Sequence, residues 1–434
     1  MNKKIVFNCE INDLKINSKN LLGVADPDST ELVLRYFLEK NCKVYLLITE
    51  KKHKKKNIPS RSKIVQYYNS LGIKTIYFLS IDNPFHTSKV VSHFLLGKIY
   101  NFFINNFILL KNFYFFSKKF SNFVKKIEPF FVFSFYEASP PFSFFKTKYV
   151  VWASEDGVVR KQFAFDHNIW NPLGFKNSKF FFKVWLFLNG FFYKVLSKKF
   201  DLDISPSLYY GKRNRKYFGK KPLVHYFPHP CNDLLLNKNK KFNLNKGKLY
   251  RILLVGHLST TYGRANINFF ISEIFPNLIK TNYLKYFRID IIGKYDFVDE
   301  RLELILKENK NINLKGYVND LGSYVRDSNL VLHAIKYPPT SGAKIGSLCS
   351  AYAGLLVHEK TKLGFPEIFR SKACESAKNG SEFVTKMMEI CNNNKLNIKM
   401  KINARKVYEK YYHYKYLNKH LDDSLSLINS NFNQ

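Results

Sequence analysis

The sequence predicts an α/β protein of two Rossmann-like units, and three observations carry that expectation. Short β-rich runs alternate with helical patterns through the first half, and the alternation restarts after a polar, lysine-rich stretch from Asn237 to Lys248. The 434 residues give room for two cores of ordinary size. Strands separated by helices imply βαβ units and mostly parallel sheets. The expected division is a first unit over 1–235, a second over 236–400, and closing helices over 401–434 that return towards the first.

Taken in order, strands are expected at Lys4 to Asn8, Val44 to Thr49, Thr75 to Leu79, Phe130 to Phe135, Tyr149 to Ala153 and Asp201 to Ser205. Ser29, Thr30 and Glu31 cap a helix that continues through Leu32, Leu34, Tyr36 and Leu38. A long helical tract, dense in Phe and Tyr, runs over 94–127 and ends with Lys118, Lys119, Lys125 and Lys126. The phrase KPLVHYFPHPCND, with Pro228 and Pro230 flanking His229, reads as a linker. Beyond it come strands at Arg251 to Val255, Phe287 to Ile292, Ile312 to Leu314 and Leu330 to Ala334. A helix carrying Ile267, Phe270, Ile271, Ile274, Phe275 and Leu278 on one face is expected to bend at Pro276. Helical patterns at Ser381 to Ile390, Ile402 to Tyr412 and Tyr414 to Ile428 close the chain.

The stretch Ser341 to His358 organises the second unit. It follows the buried apolar run Asn329 to Ile335, turns at Pro338, Pro339, Ser341 and Gly342, and opens a helix with an exposed Lys344 in its first turn. Gly354 is expected to end that helix, and Leu355 to Val357 start another strand. A strand, a glycine turn, a helix N-terminus and a basic side chain bring unpaired N–H groups and the positive end of a helix dipole to one spot, which suits a phosphate. An ordinary αβ connection without a ligand explains the local pattern equally well.

Composition narrows the partners. Lys and Arg number 70 against 33 Asp and Glu, a formal charge of +37, which favours anionic partners. The excess of Lys, Asn, Phe, Ile and Tyr matches the codon bias of an AT-rich genome, however, and no nucleic-acid reading motif accompanies the charge. The six cysteines form no CxxC pair, so no metal site is expected, and a reduced cytoplasmic compartment fits them. The apolar stretches Phe94 to Leu110 and Phe180 to Leu196 are interrupted by Lys, Asn and Gly, which argues against spanning helices. Their aromatic and lysine content suits peripheral contact with an anionic membrane instead.

The ordered phrases RILLVGHLS, FFISEIFPNLIK, FRIDIIGK, INLKGYVNDLGSYVRDSNLVLHAI, AKIGSLCSAYAGLLVH, GSEFVTKMMEI and NARKVYEKYY carry a further reading. Together they resemble the retaining glycosyltransferases of the GT-B fold, the group that includes bacterial lipopolysaccharide and capsule enzymes. The match covers residues 249–413 well and the first half in outline. The resemblance implies two Rossmann-like domains with a cleft between them, a nucleotide sugar held mainly by the second, and an acceptor held by the first. It implies no cofactor beyond the donor substrate. Donor contacts would fall on Gly256, His257, Arg264, Gly342, Lys344, Cys349 and Glu359. Acceptor or sugar contacts would fall on Gly23, Glu155 and Asp156, with Asp26 and Asp28 as weaker candidates.

The usual glutamate pair of that group, eight residues apart, would lie at Ser341 and Cys349, and neither is acidic. A thiol cannot accept the two ribose hydrogen bonds that the second glutamate normally takes. Glu359 and Glu367 are possible substitutes, each otherwise a solvated loop charge. The expected function is transfer of a sugar from a nucleotide sugar to a surface-glycan or lipid-linked acceptor, with retention and with no general base assigned. The alternative is an inactive GT-B-like glycan-binding or scaffolding protein.

Overall fold

A computed structural model of the chain describes residues 3–10, 29–51, 60–81, 114–135, 144–152, 201–209, 212, 223–235, 249–256, 261–294, 300–336 and 343–428. Within the first half these form β1 (Lys4–Glu10), α1 (Ser29–Glu39), β2 (Lys43–Lys51), α2 (Arg61–Ser70), β3 (Thr75–Ile81), α3 (114–127), β4 (Phe131–Phe135), β5 (Lys148–Trp152), β6 (Leu202–Ser205) and β7 (Leu223–Tyr226). The seven strands make one parallel sheet in the order β3-β2-β1-β4-β5-β6-β7. Alternation along each strand decides what each face covers. Ile5, Phe7 and Cys9 meet α1 residues Val33, Leu34 and Phe37, whereas Val6, Leu47, Val132 and Val151 meet Phe120 and Val124 of α3.

The second half continues with β8 (Tyr250–Val255), α4 (Thr261–Phe269), α5 (Phe275–Lys280), β9 (Phe287–Ile292), α6 (Glu300–Glu308), β10 (Ile312–Gly316), α7 (Leu321–Arg326), β11 (Leu330–His333) and α8 (Ala343–Ser350). It goes on through β12 (Leu355–His358), α9 (Pro366–Arg370), β13 (Cys374–Ala377), α10 (Gly380–Asn392), α11 (Asn394–Val407) and α12 (Leu417–Ser426). Its six strands are parallel in the order β10-β9-β8-β11-β12-β13. Both sheets therefore reverse direction beside their first strand, between β1 and β4 and again between β8 and β11. In open parallel sheets such a reversal leaves a crevice at the carboxyl ends of the strands, where ligands bind.

Several local expectations are corrected. Leu223 to Tyr226 is not linker but the edge strand β7, because its backbone completes the ladder with β6. Cys374 to Ala377, unremarked in the sequence, is an edge strand of the second sheet, β13. Pro276 cannot donate to the preceding turn, and a wider π turn over Phe270–Ile274 absorbs the mismatch before the proline opens α5. The left-handed residue after α8 is Tyr352, with φ of 57°, rather than Gly354. Gly354 is needed for closeness: a Cβ there would lie 3.3 Å from the Asn329 carbonyl oxygen.

The chain's last stretch joins the two sheets. Arg405 of α11 is buried and donates to both oxygens of Asp233, at 2.9 and 2.7 Å, and to the carbonyl of Ser350 at the end of α8. A π turn over Tyr408–Tyr412 then pairs with Cys231, and α12 buries Leu417, Leu421 and Leu425 in the core of the first sheet. Asp422 accepts from Tyr36 of α1 at 2.7 Å and meets Lys40 at 2.9 Å.

Lys401 of α11 is fully buried and donates to the Arg326 carbonyl at 2.7 Å, which caps the end of α7. Burial pushes its ammonium down to about 7, against the opposing pull of Asp327. Between that value and the ordinary lysine value the unfolded chain binds more protons than the folded one, so this group's contribution to stability rises with pH from about 7 to about 10. The parent protein should therefore gain about 2 to 4 kcal/mol on a Lys401→Met variant across that window in urea titrations. A gap between the two that stays constant with pH would contradict this assignment.

Candidate functional site

The reversal point of the second sheet is built from two glycines, a lysine and a histidine. β8 runs out at Val255 and β9 at Ile292, and their next residues are packed against each other. The Gly256 N–H donates to Ile292 at 2.9 Å, and the Gly293 N–H donates to Gly316 at 2.8 Å. Gly293 has φ of 145°, and a Cβ on it would lie 1.6 Å from the Gly256 carbonyl oxygen, so no other residue fits. A Cβ on Gly256 would in turn lie 2.9 Å from Nζ of Lys344. The bare backbone at Gly256 is what admits the lysine head.

Lys344 sits in the first turn of α8 and is half-buried, not exposed as its position in the sequence suggests. The rest of that turn explains why. Ile345 and Leu348 are driven into the core with Val255 and Val331, which draws the helix down onto the sheet. Burial lowers the Lys344 ammonium to about 8, and among the described residues no carboxylate pairs with it. Beside it, His333 ends β11, is 2% exposed, and has no hydrogen-bond partner for either ring nitrogen among the described residues. Burial and then the charge of Lys344 hold His333 well below its ordinary value, so the ring is neutral at physiological pH. Two basic side chains, a helix N-terminus and an approachable glycine backbone converge here, an arrangement suited to an anion with several oxygens.

The other expected donor residues are placed unevenly. Arg264 is half-buried in the first turns of α4, the helix that follows Gly256. Glu359 is exposed and directly follows β12, where its charge and those of Lys360 and Lys336 are felt by His358. Cys349 is corrected as a contact residue. It is 0% exposed on the core side of α8, near Cys231 and Cys374, and burial raises its thiol far above the usual range. Glu367 is likewise no solvated loop charge. It is buried in α9 and accepts hydrogen bonds from Tyr226 of β7, at 2.9 Å, and from Tyr412. Burial raises its carboxyl, with both tyrosines opposing the shift. His257, Gly342, Gly23, Asp26, Asp28, Glu155 and Asp156 lie outside the described residues.

Sequence reading missed His333, because the run Asn329 to Ile335 looks uniformly apolar apart from that one ring. The available signal was positional: a polar side chain on the last residue of a buried strand, just ahead of a Pro- and Gly-containing turn. Among the described residues no cluster of three His, Cys, Asp or Glu side chains could hold a metal ion.

Of the two aromatic and lysine-rich tracts, 180–199 lies outside the described residues, and the other is described from 114 onwards. There Phe116, Phe120 and Val124 face the core, whereas Tyr114, Phe115, Lys118, Lys119, Lys125 and Lys126 are exposed on the outer side of α3. Phe144 stacks edge-on against Tyr114 at 5.7 Å and extends the aromatic end of that face. No described helix is long and apolar enough to cross a membrane.

Holding an uncompensated lysine in this position opposes folding by about 3 kcal/mol at neutral pH. Lys344→Ala should therefore raise the unfolding midpoint while weakening the binding of inorganic pyrophosphate, a probe with several anionic oxygens, by about one to two orders of magnitude. Cys349→Ala is the matched comparison, with nearly unchanged affinity and lowered stability from the cavity it leaves. Melting curves and calorimetric titrations of the two variants check both halves. Unchanged pyrophosphate affinity in Lys344→Ala would contradict the anion site.

No family model matches the chain, and no curated protein matches it in sequence. Its likeness is to solved structures. Sucrose-phosphate synthase from Thermosynechococcus elongatus superposes with a TM-score of 0.60 at 10% identity over 99% of both chains. A glycosyltransferase from Rickettsia africae gives 0.56 at 13% identity, again over 99% of both. Anabaena HepE in complex with UDP gives 0.55 at 11% identity over 98% of this chain and 100% of the other. At such identities the likeness speaks for the fold alone, and together with the two parallel sheets it shows that the chain has the α/β GT-B fold of two Rossmann-like units.

Proposed function

We propose that the protein is a retaining glycosyltransferase that moves a sugar from a nucleotide-sugar donor to a surface-glycan or lipid-linked acceptor. The observation that carries the reading is the pair Lys344, half-buried, and His333, buried, two basic groups at the reversal point of the second sheet with which no acid pairs among the described residues. That position suits the diphosphate of a nucleotide sugar. The structures of Anabaena HepE with UDP, and with UDP and glucose, add support from the same fold.

In this reading the diphosphate is the leaving group, and its charge grows as the bond to the sugar carbon breaks. Lys344 donates a charge-assisted hydrogen bond to it, the first N–H groups of α8 add the positive end of their dipole, and Arg264 closes the site from α4. Because these donors are fixed before the reaction, they stabilise the developing charge without reorganisation. His257 directly follows Gly256 and Gly342 directly precedes α8 in the sequence, and Glu359, just after β12, is an exposed acid available for a donor hydroxyl. The acceptor contacts proposed for Gly23, Glu155 and Asp156 belong to the first unit. The donor is the substrate, and the reaction as proposed uses no further cofactor.

The outer face of α3 supports a second part of the proposal, peripheral contact with an anionic membrane on its cytoplasmic face, where a lipid-linked acceptor would be met. Exposed Tyr114 and Phe115 at one end and four exposed lysines along the rest are what such a surface requires. Each lysine near the membrane contributes about 1 kcal/mol. Nucleic acid is not a proposed partner. The alternative of an inactive scaffold rests on the buried thiol of Cys349 at one position of the usual glutamate pair.

Calorimetry against a panel of nucleotides and nucleotide sugars separates enzyme from scaffold, with binding of at least one of them expected and silence across the panel favouring the scaffold. In sedimentation assays the parent should associate with anionic vesicles and wash off in high salt. Lys118→Glu with Lys119→Glu should reduce that binding at least tenfold. Equal sedimentation with neutral vesicles would remove the membrane contact from the proposal.

A further inference from the structure

We propose that His333 is itself a ligand of the diphosphate beside Lys344, and that the site fills by taking up a proton. The inference rests on the reading that a nucleotide diphosphate occupies this reversal point. His333 is 2% exposed, and among the described residues both its ring nitrogens lack partners, an expensive arrangement for a polar ring unless something else completes it. Strand alternation puts the ring on the α8 face of the sheet: Val331, two residues earlier, packs in the cluster of Ile345 and Leu348, whereas Leu332 packs in the opposite one. Among the described residues Lys344 is the charge that acts on it, which puts the lysine head within electrostatic reach of the ring. A neutral imidazole there offers one N–H to a phosphate oxygen and needs no proton of its own for that contact.

The proton belongs to Lys344. Burial alone lowers its ammonium, to about 8, with no carboxylate among the causes. An anion brought against it supplies the missing counter-charge and restores the protonated form. Other titratable groups on the surrounding elements do not duplicate this behaviour. Lys336, Glu359 and Lys360 act on His358, which lies against Phe269 on the other face of the sheet, and the net effect of burial and charge keeps His358 below its ordinary value. Its titration falls on the acid side of neutrality and outside the window that reports on Lys344.

Above pH 7.5 the terminal phosphate of UDP has already lost its last proton, so any pH dependence there belongs to the protein. UDP affinity should fall roughly eightfold between pH 7.5 and pH 9, following the loss of the charged form of a lysine titrating near 8. Calorimetry in buffers of different ionisation enthalpy should show uptake of roughly 0.7 proton at pH 8.5. Lys344→Arg, whose guanidinium stays charged, should keep its affinity at pH 9 and show no uptake. His333→Leu should weaken UDP about tenfold at every pH and leave the pH dependence in place.

The outcomes divide cleanly. If UDP binds but neither the slope nor the uptake appears, or if Lys344→Arg retains both, the inference is wrong and the nucleotide reading survives. Unchanged affinity in a folded His333→Leu would remove the histidine from the site. If UDP and the other nucleotides fail to bind the parent at neutral pH, both the inference and the reading beneath it fall.

Discussion

A buried base without an acid is the constraint on which this protein's second sheet turns. Lys344 and His333 are placed where water is scarce, and burial drives both towards their neutral forms. A charge buried in this way destabilises a fold unless something outside the chain neutralises it. The packing that creates the problem is specific. Gly293 presses on the carbonyl of Gly256, Gly256 leaves space for the lysine head, and the apolar side of α8 holds that head against the sheet. Each residue's place depends on the next.

Around this point the molecule is fastened from the far end of the chain. Arg405 clamps Asp233 and the end of α8 together, with its guanidinium over the rings of Tyr352 and Tyr408. Glu367 gathers hydroxyls from β7 and from the π turn at Tyr408–Tyr412, so a buried carboxylate joins both halves of the protein. A backbone hydrogen bond from Leu208 to Gly364 at 3.1 Å crosses between the same halves. The last helix then seals the first sheet, where His420 stacks on Phe227 at 4.7 Å. The position of α8, and through it Lys344, therefore depends on contacts made by residues some sixty positions later.

Much of this was legible in the sequence, and the reasons for success and failure are physical. The central strands announced themselves as unbroken apolar runs, because parallel strands are covered on both faces. Two of the four edge strands, β7 and β13, did not, since one lies in a proline-rich phrase and the other is a half-buried CESA. Lys344 was found from the turn and helix that present it, but its burial was not, because exposure depends on how deeply Ile345 and Leu348 draw the helix inward. His333 was hidden for the opposite reason, a single polar ring inside a run that otherwise spells core. Cys349 looked like a contact residue only through an alignment of positions, and the helical rotation between it and Lys344 turns it to the interior.

The diphosphate site proposed at the reversal point beside Gly256 stands or falls on Lys344 and His333. A crystal structure of the protein with UDP tests it most directly. The account predicts diphosphate oxygens about 2.7–2.9 Å from Nζ of Lys344 and at hydrogen-bond distance from a ring nitrogen of His333, with the nucleotide lying over the Gly256 backbone. A UDP molecule ordered elsewhere, at the β1–β4 reversal of the first sheet for example, with both side chains still unoccupied, would contradict it.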